Sequence, residues 1–199
     1  MEKVARDVEK IRFNSFLFDF FVTNDTYDNN DNNDTNDNLH KMAKYESKVN
    51  YTPHATAEQV YAKLSNLESF KPLLENLADN PLVRQKIEEE GQDPKILEQL
   101  KDVKLTADTI TFPVPMLGSM TLEIIEREEN RCIKMQAANV PMEGYLWIQV
   151  LPVSTGGSKM RLTLKAELNM MMKMMIGSKL QKGIDNMAAV LAQLPYQMM

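Results

Sequence analysis

The chain has 199 residues, 23 basic and 28 acidic, for a formal charge of −5, with two histidines and one cysteine. Residues 1–41 carry 5 basic and 9 acidic residues, leaving 18 and 19 for residues 42–199, and every glycine and proline lies after Met42. A nearly neutral stretch of that length fits one domain that buries roughly 70% of its unfolded surface; it has no basic block for nucleic acid, and its lone thiol excludes an internal disulfide and fits a reducing, cytoplasmic setting.

The first 41 residues read as a low-complexity leader. Residues 24–38 hold seven Asn and five Asp and no aliphatic side chain, so they bury too little apolar surface to offset the entropy of ordering. Upstream, IRFNSFLFDFFV (11–22) carries five of the seven phenylalanines. It is too short for a membrane span and is interrupted by Arg12, Asn14 and Asp19, and it lacks the small-residue cleavage site of a secretory signal. No stable membrane insertion is expected. Three readings stay open: a peripheral amphipathic segment, a tail with a partner, or a mis-assigned start, with native translation beginning at Met42 in MAKYESKV. Peptides from residues 1–41 in a mass spectrum of the native protein would remove the last.

One domain is expected over residues 42–199. In YESKVNY (45–51), Tyr45, Ser47, Val49 and Tyr51 alternate with polar residues, as in a half-buried strand. Pro53 ends it, and Thr56 with Gln59 forms a capping box for a short helix with Val60, Tyr61 and Leu64 on its apolar side. Leu67, Phe70, Leu73, Leu74 and Leu77 continue in a second helical segment across Pro72. Asn80-Pro81 and Asp93-Pro94 each set a capping side chain before a proline at the first helical position, with Gly91 as a stop between them.

From residue 103 the hydrophobic period changes to two. Ile110, Phe112 and Val114, then Met120, Leu122 and Ile124, then Ile133 and Met135, and finally Met160, Leu162, Leu164, Ala166 and Leu168 mark strands with one wet face. A turn centred on Thr155-Gly156 pairs 147 with 164 and 145 with 166, which places Tyr145, Trp147 and Gln149 on the apolar face. A one-residue shift would put Leu146, Ile148 and Val150 there instead. The chain closes with a helix from Met170 to Leu194, stopped by Pro195. Met172, Ile176, Leu180, Ile184, Met187, Leu191 and Leu194 form its apolar stripe, and the stripe must cover the sheet. The fold class is α+β.

This order resembles the helix-grip fold of the START/Bet v1-like superfamily, also called SRPBCC or polyketide cyclase-like. The resemblance covers residue 43 to about 195 and rests on the opening strand with TPHATAEQVYAKLSNLESF, and on GYLWIQVLPVSTGGSKMRLTLKAEL before the final helix. It implies a curved antiparallel sheet wrapped around a long C-terminal helix, with two short helices after the first strand. The chain departs from the pattern in a helical insert at 78–101, and Phe70 stands where a tryptophan is common. The resemblance further implies a largely apolar cavity for a lipid, sterol, polyketide or similar molecule.

No catalytic residue, metal ligand or cofactor is expected. Two histidines (His40, His54) and Cys132 show no ligand spacing for zinc, and no serine-hydrolase, P-loop or dinucleotide motif occurs. Glu88–Glu90 and Glu126, Glu128 and Glu129 read as solvated faces, and Gly156-Gly157 as a hairpin turn. Five of residues 170–175 are Met, with Met116, Met120, Met135, Met142, Met160 and Met187 adding to them. Methionine fills cores, lines adaptable cavities and forms interaction patches, and all three readings stay open. Gly177 and Gly183 leave room for close backbone approach or for a ligand. The expected function is binding of an apolar small molecule or lipid by Met120, Leu122, Ile124, Met135, Tyr145, Trp147, Gln149, Leu162, Leu164, Met172, Ile176 and Leu180. The alternatives are a cyclase- or dehydratase-like enzyme using Tyr45, Tyr51, Tyr145, His54 or a Glu, and a protein-interaction module using the insert.

Overall fold

A computed structural model describes residues 41–89, 95–114, 118–140 and 142–197. The leader, the Asp93-Pro94 cap, the Gly91 stop and Met116 lie outside them. Two strands open the described chain, β1 (Lys41–Glu46) and β2 (Asn50–Thr52), followed by α1 (Ala57–Leu64) and a 3-10 turn (Leu67–Phe70). Next come α2 (Lys71–Ala78), α3 (Pro81–Glu89) and α4 (Lys95–Lys101), so the insert is helical as expected. Strands β3 (Lys104–Leu105), β4 (Thr109–Val114), β5 (Gly118–Glu128), β6 (Cys132–Ala138), β7 (Gly144–Pro152) and β8 (Ser158–Leu168) lead into α5 (Met170–Gln193). The strands form one antiparallel sheet in the order β1-β8-β7-β6-β5-β4-β3, with β2 also pairing β8. Its curved inner face wraps α5, giving the helix-grip α+β architecture.

The helix ends follow the sequence signals. Thr56 accepts from the Gln59 backbone N–H while the Gln59 side chain accepts from the Thr56 N–H, closing the capping box. Asn80 Oδ1 accepts from Leu82 N at 3.0 Å ahead of Pro81. Asn169 Oδ1 accepts from Met172 N at 2.8 Å to start α5. At the far end Pro195 drives Leu194 into extended backbone (ψ 143°) and the helix stops.

Three registers depart from simple alternation. Residues 45–51 are not one strand: Tyr45 pairs Leu164, but Asn50 pairs Met160, one residue out of step. Ser47 exchanges bonds with Leu162, its N–H donating to the Leu162 carbonyl and its Oγ accepting from the Leu162 N–H. The next N–H, of Lys48, leaves the ladder and donates to Asp185 Oδ1 on α5 at 2.9 Å. Tyr45 and Ser47 are therefore buried, whereas Val49 and Tyr51 are exposed. Gln181 also donates to the Glu46 carbonyl at 2.8 Å, so α5 is pinned to this bulge at two points.

A second slip lies in β5. Ile124 pairs Met135, but Glu126 pairs Lys134 and Arg127 pairs Ile133. The extra residue, Ile125, is exposed, and the flip carries Arg127 to the helix side of the sheet. There its guanidinium donates to the Ser65 carbonyl at 2.9 and 3.1 Å, at the C-terminus of α1, and pairs with Asp108.

The third concerns the β7–β8 hairpin, where the expected register is wrong by one. Leu146 pairs Leu164 and Ile148 pairs Leu162, so Leu146, Ile148 and Val150 face α5. The cause is loop parity. The connection is the five residues 153–157, and Gly156 and Gly157 both take left-handed backbone (φ 83° and 84°), centring the turn on Thr155. A side chain at Gly157 would also sit 2.7 Å from the Thr52 carbonyl oxygen.

The main core joins inner-face residues of β5–β8 and β1 to α1 and to the inward stripe of α5. Leu97 and Leu100 bury α4, which packs on α2 and β4. Among the described residues no helix is long and apolar enough to cross a membrane.

Candidate functional site

The inner face of the sheet and α5 do not meet evenly. Under the N-terminal half of α5 the helix lies directly on the sheet. Tyr45 rises from β1 against the helix at Gly177, where an added Cβ would lie 3.0 Å from the phenol oxygen. The Tyr45 hydroxyl is buried without a hydrogen-bond partner among the described residues, and burial raises its pKa. Leu164 pairs with Tyr45 across the strands, and Leu162, Met172, Ile176 and Leu180 belong to the same core.

Under the C-terminal half the layers stand apart. A cavity opens there, with about 90 Å3 free to the centre of a water molecule. One wall is α5, through Met187, Val190, Leu191 and the cap residue Leu194. The sheet supplies Leu105, Ile110, Phe112, Leu122, Met135, Leu146 and Ile148, and the third side is Leu64, Leu67, Phe70, Leu73 and Leu74 from α1, the 3-10 turn and α2. All sixteen side chains are apolar. Tyr196 is buried just past the end of α5, its hydroxyl donating to the Leu191 carbonyl at 2.7 Å. Burial pushes that phenol far above its ordinary pKa.

The α1–α2 wall is held from the sheet side. Leu67 N donates to the Ala107 carbonyl at 3.0 Å, and Arg127 fixes the Ser65 carbonyl as described above. Behind α2, Lys101 of α4 bridges to Asp79 at 3.2 Å, and Arg84 of α3 to Glu98 at 2.9 Å. The described residues of the insert thus back the wall and do not line the cavity.

Of the twelve residues expected to bind ligand, Leu122 and Met135 line this cavity. Met120 is buried one pair away, beside Phe112. Ile124, Leu162, Leu164, Met172, Ile176 and Leu180 belong to the same inner core but do not line the cavity. Tyr145, Trp147 and Gln149 are on the outer face, a correction that follows from the hairpin register. There the Lys134 ammonium sits 5.5 Å from the Tyr145 ring centre and 5.4 Å from that of Trp147, with Lys165 5.1 Å from Trp147 on the adjacent strand. The missed wall residues of α1 and α2 were visible as an apolar run, Leu64 to Leu74, that the sequence left without a partner surface.

Among the described residues no lining side chain is ionisable. His54 is exposed in the Pro53 corner, and Cys132 lies on the outer side of β6, paired with Gln149. Burial first, then Glu128 and Glu126, push the Cys132 thiol up to about 11, so it is a poor nucleophile at neutral pH. Among the described residues no group of three His, Cys, Asp or Glu could hold a metal ion.

No protein-family model matches the chain, and no curated protein does. Among solved structures it is similar to norcoclaurine synthase from Thalictrum flavum, with a TM-score of 0.52 at 10% identity, covering 86% of this chain and 97% of that one. It is also similar to the Aha1 dimer from Colwellia psychrerythraea, with a TM-score of 0.44 at 14% identity, covering 72% and 90%. At 10% identity the likeness to norcoclaurine synthase carries the fold alone, the helix-grip fold.

Proposed function

We propose that this protein binds a small, mainly apolar molecule in the cavity between the sheet and the C-terminal half of α5. The observation that carries the reading is the wall itself: among the described residues, sixteen side chains without one hydrogen-bonding or ionisable group. An apolar space of this kind excludes water and accepts apolar guests. A guest that buries ~150 Å2 there gains about 4 kcal/mol at roughly 25 cal/mol per Å2, before the cost of immobilising it. The free volume fits a ring or short alkyl group, with any polar end left at the solvent side.

The same wall weighs against the cyclase- or dehydratase-like alternative, which needs a titratable group inside. Tyr45 is spent against Gly177, and Tyr51, Tyr145 and His54 lie elsewhere. The test is native mass spectrometry of the purified protein together with displacement of an apolar fluorescent dye by aryl and alkyl compounds. A retained apolar molecule, or saturable dye binding weakened at least tenfold by Leu146→Phe, supports the reading. Dye binding that is absent, or indifferent to Leu146→Phe, overturns it.

A further inference from the structure

We propose that the exposed methionine face at the start of α5 is the docking surface for residues 11–22 of the same chain. Met170, Met171, Met174 and Met175 are 76%, 71%, 79% and 53% exposed. They are spaced by three and four, so they stand together on one side of the helix, opposite the inward stripe of Met172, Ile176 and Leu180. The core accounts for the inward stripe, whereas the outward four extend an apolar surface into water, the usual mark of an interaction site.

The occupant follows from where the chain enters the fold. Lys41 pairs with Leu168, and Asn169 and Met170 come next, so the leader leaves the fold about 5 Å from the strand that runs into the methionine face. Residues 23–40 supply eighteen residues of tether, which reach at most about 60 Å extended. The first six residues of α5 cover only about 9 Å, so the segment at 11–22 reaches the whole face without demand on the tether. That segment carries Phe13, Phe16, Phe18, Phe20 and Phe21, and thioether sulfur packs favourably against aromatic rings.

Tether and helix also carry opposite charge. The tether holds Asp25, Asp28, Asp31, Asp34 and Asp37, while α5 carries Lys173 and Lys182 on exposed positions and no acidic residue before Asp185. A tethered partner also meets the face at high effective concentration, an advantage no free partner has. Two otherwise unexplained features, the phenylalanine cluster and the outward methionines, then cover one another.

Methionine oxidation reads the contact directly. The full chain and the full-length variant F16S/F18S/F20S/F21S are treated with dilute peroxide, and sulfoxide is followed by mass spectrometry at each methionine. The expected result is at least fivefold slower oxidation of Met170, Met171, Met174 and Met175 in the parent, with buried Met160 slow in both. Conversely, M171Q/M174Q should speed proteolytic cleavage within residues 11–22 several-fold, at unchanged thermal stability. Equal oxidation in parent and variant overturns the proposal. So does protection that survives in the variant and rises with protein concentration, which marks a second copy, or protection that needs anionic vesicles, which marks a lipid surface. A native protein whose peptides begin at Met42 overturns it as well.

Discussion

Over its first turns α5 lies on β1 and β8 with Tyr45 pressed beneath Gly177, whereas over its last turns Met187, Val190, Leu191 and Leu194 face an open apolar space. One helix with one continuous stripe thus meets one sheet in two ways. What differs is the partner surface. At the first end a single aromatic side chain spans the gap and a glycine admits it. At the second end α1, the 3-10 turn and α2 come between helix and sheet edge as a third wall. Three walls of branched and aromatic side chains, each tied to a different element, do not collapse onto one another. Cavities here are a property of topology, not of unusual residues.

The comparison breaks first under overpacking. Leu162→Phe, at a fully buried position outside the cavity lining, should destabilise by about 2 kcal/mol, because the site has no room for a ring. Leu146→Phe in the cavity half should instead be neutral or stabilise by up to ~1 kcal/mol, since it fills existing space. Urea denaturation of both variants checks the opposite signs. Equal losses would mean the two halves are packed alike.

A smaller effect sharpens the end where helix lies on sheet. Tyr45→Phe removes a buried hydroxyl that lacks a partner, and should stabilise by about 1 kcal/mol. Gly177→Ala should gain less than the roughly 1 kcal/mol of helix propensity, because its Cβ meets the phenol oxygen, and the gain should grow in the Y45F background. Thermal melts of the four proteins give the coupling. Additive effects would separate Tyr45 from Gly177.

Asp185→Ala should cost about 1 kcal/mol, because it frees the Lys48 N–H at the β1–β2 bulge. Cavity binding should persist, since neither Lys48 nor Asp185 lines the cavity. Dye affinity falling in parallel with stability would show the two halves to be coupled.

The smallest effect belongs to neither half. The Cys132 thiol rises from 9.0 to about 11 in the fold. A raised acid contributes stability fully below its unfolded value and loses it as pH climbs through the folded one. Stability should therefore decline between pH 9 and 11, and less steeply in Cys132→Ser. Urea midpoints across that range check the slope.

The fold was legible because its signals are local. The Thr56–Gln59 box, the Asn80-Pro81 cap, the change of period at residue 103 and the stripe ended by Pro195 are each written within a few residues, and each forms. The three register slips were not legible for the same reason. Alternation in the letters runs through Ser47, Val49 and Tyr51 unbroken, and the bulge exists because Asp185, far along the chain, takes the Lys48 N–H. At the hairpin, one residue of loop parity decided the fate of Tyr145, Trp147 and Gln149, and parity depended on both glycines turning left-handed. The cavity could be expected beneath α5, but its position could not. The stripe reads alike at both ends, and the third wall comes from Leu64 to Leu74, more than a hundred residues earlier.

The hairpin register has an optical consequence. Trp147 is the single tryptophan of the chain, and it stands on the outer face between the ammonium groups of Lys134 and Lys165. Its emission therefore reports the charge state and salt of the sheet exterior. Saturating the cavity should leave that spectrum in place, while acetylation of the two lysines should move it. The protein carries its own fluorophore on the wrong side to watch its ligand, which makes it a clean monitor of everything else.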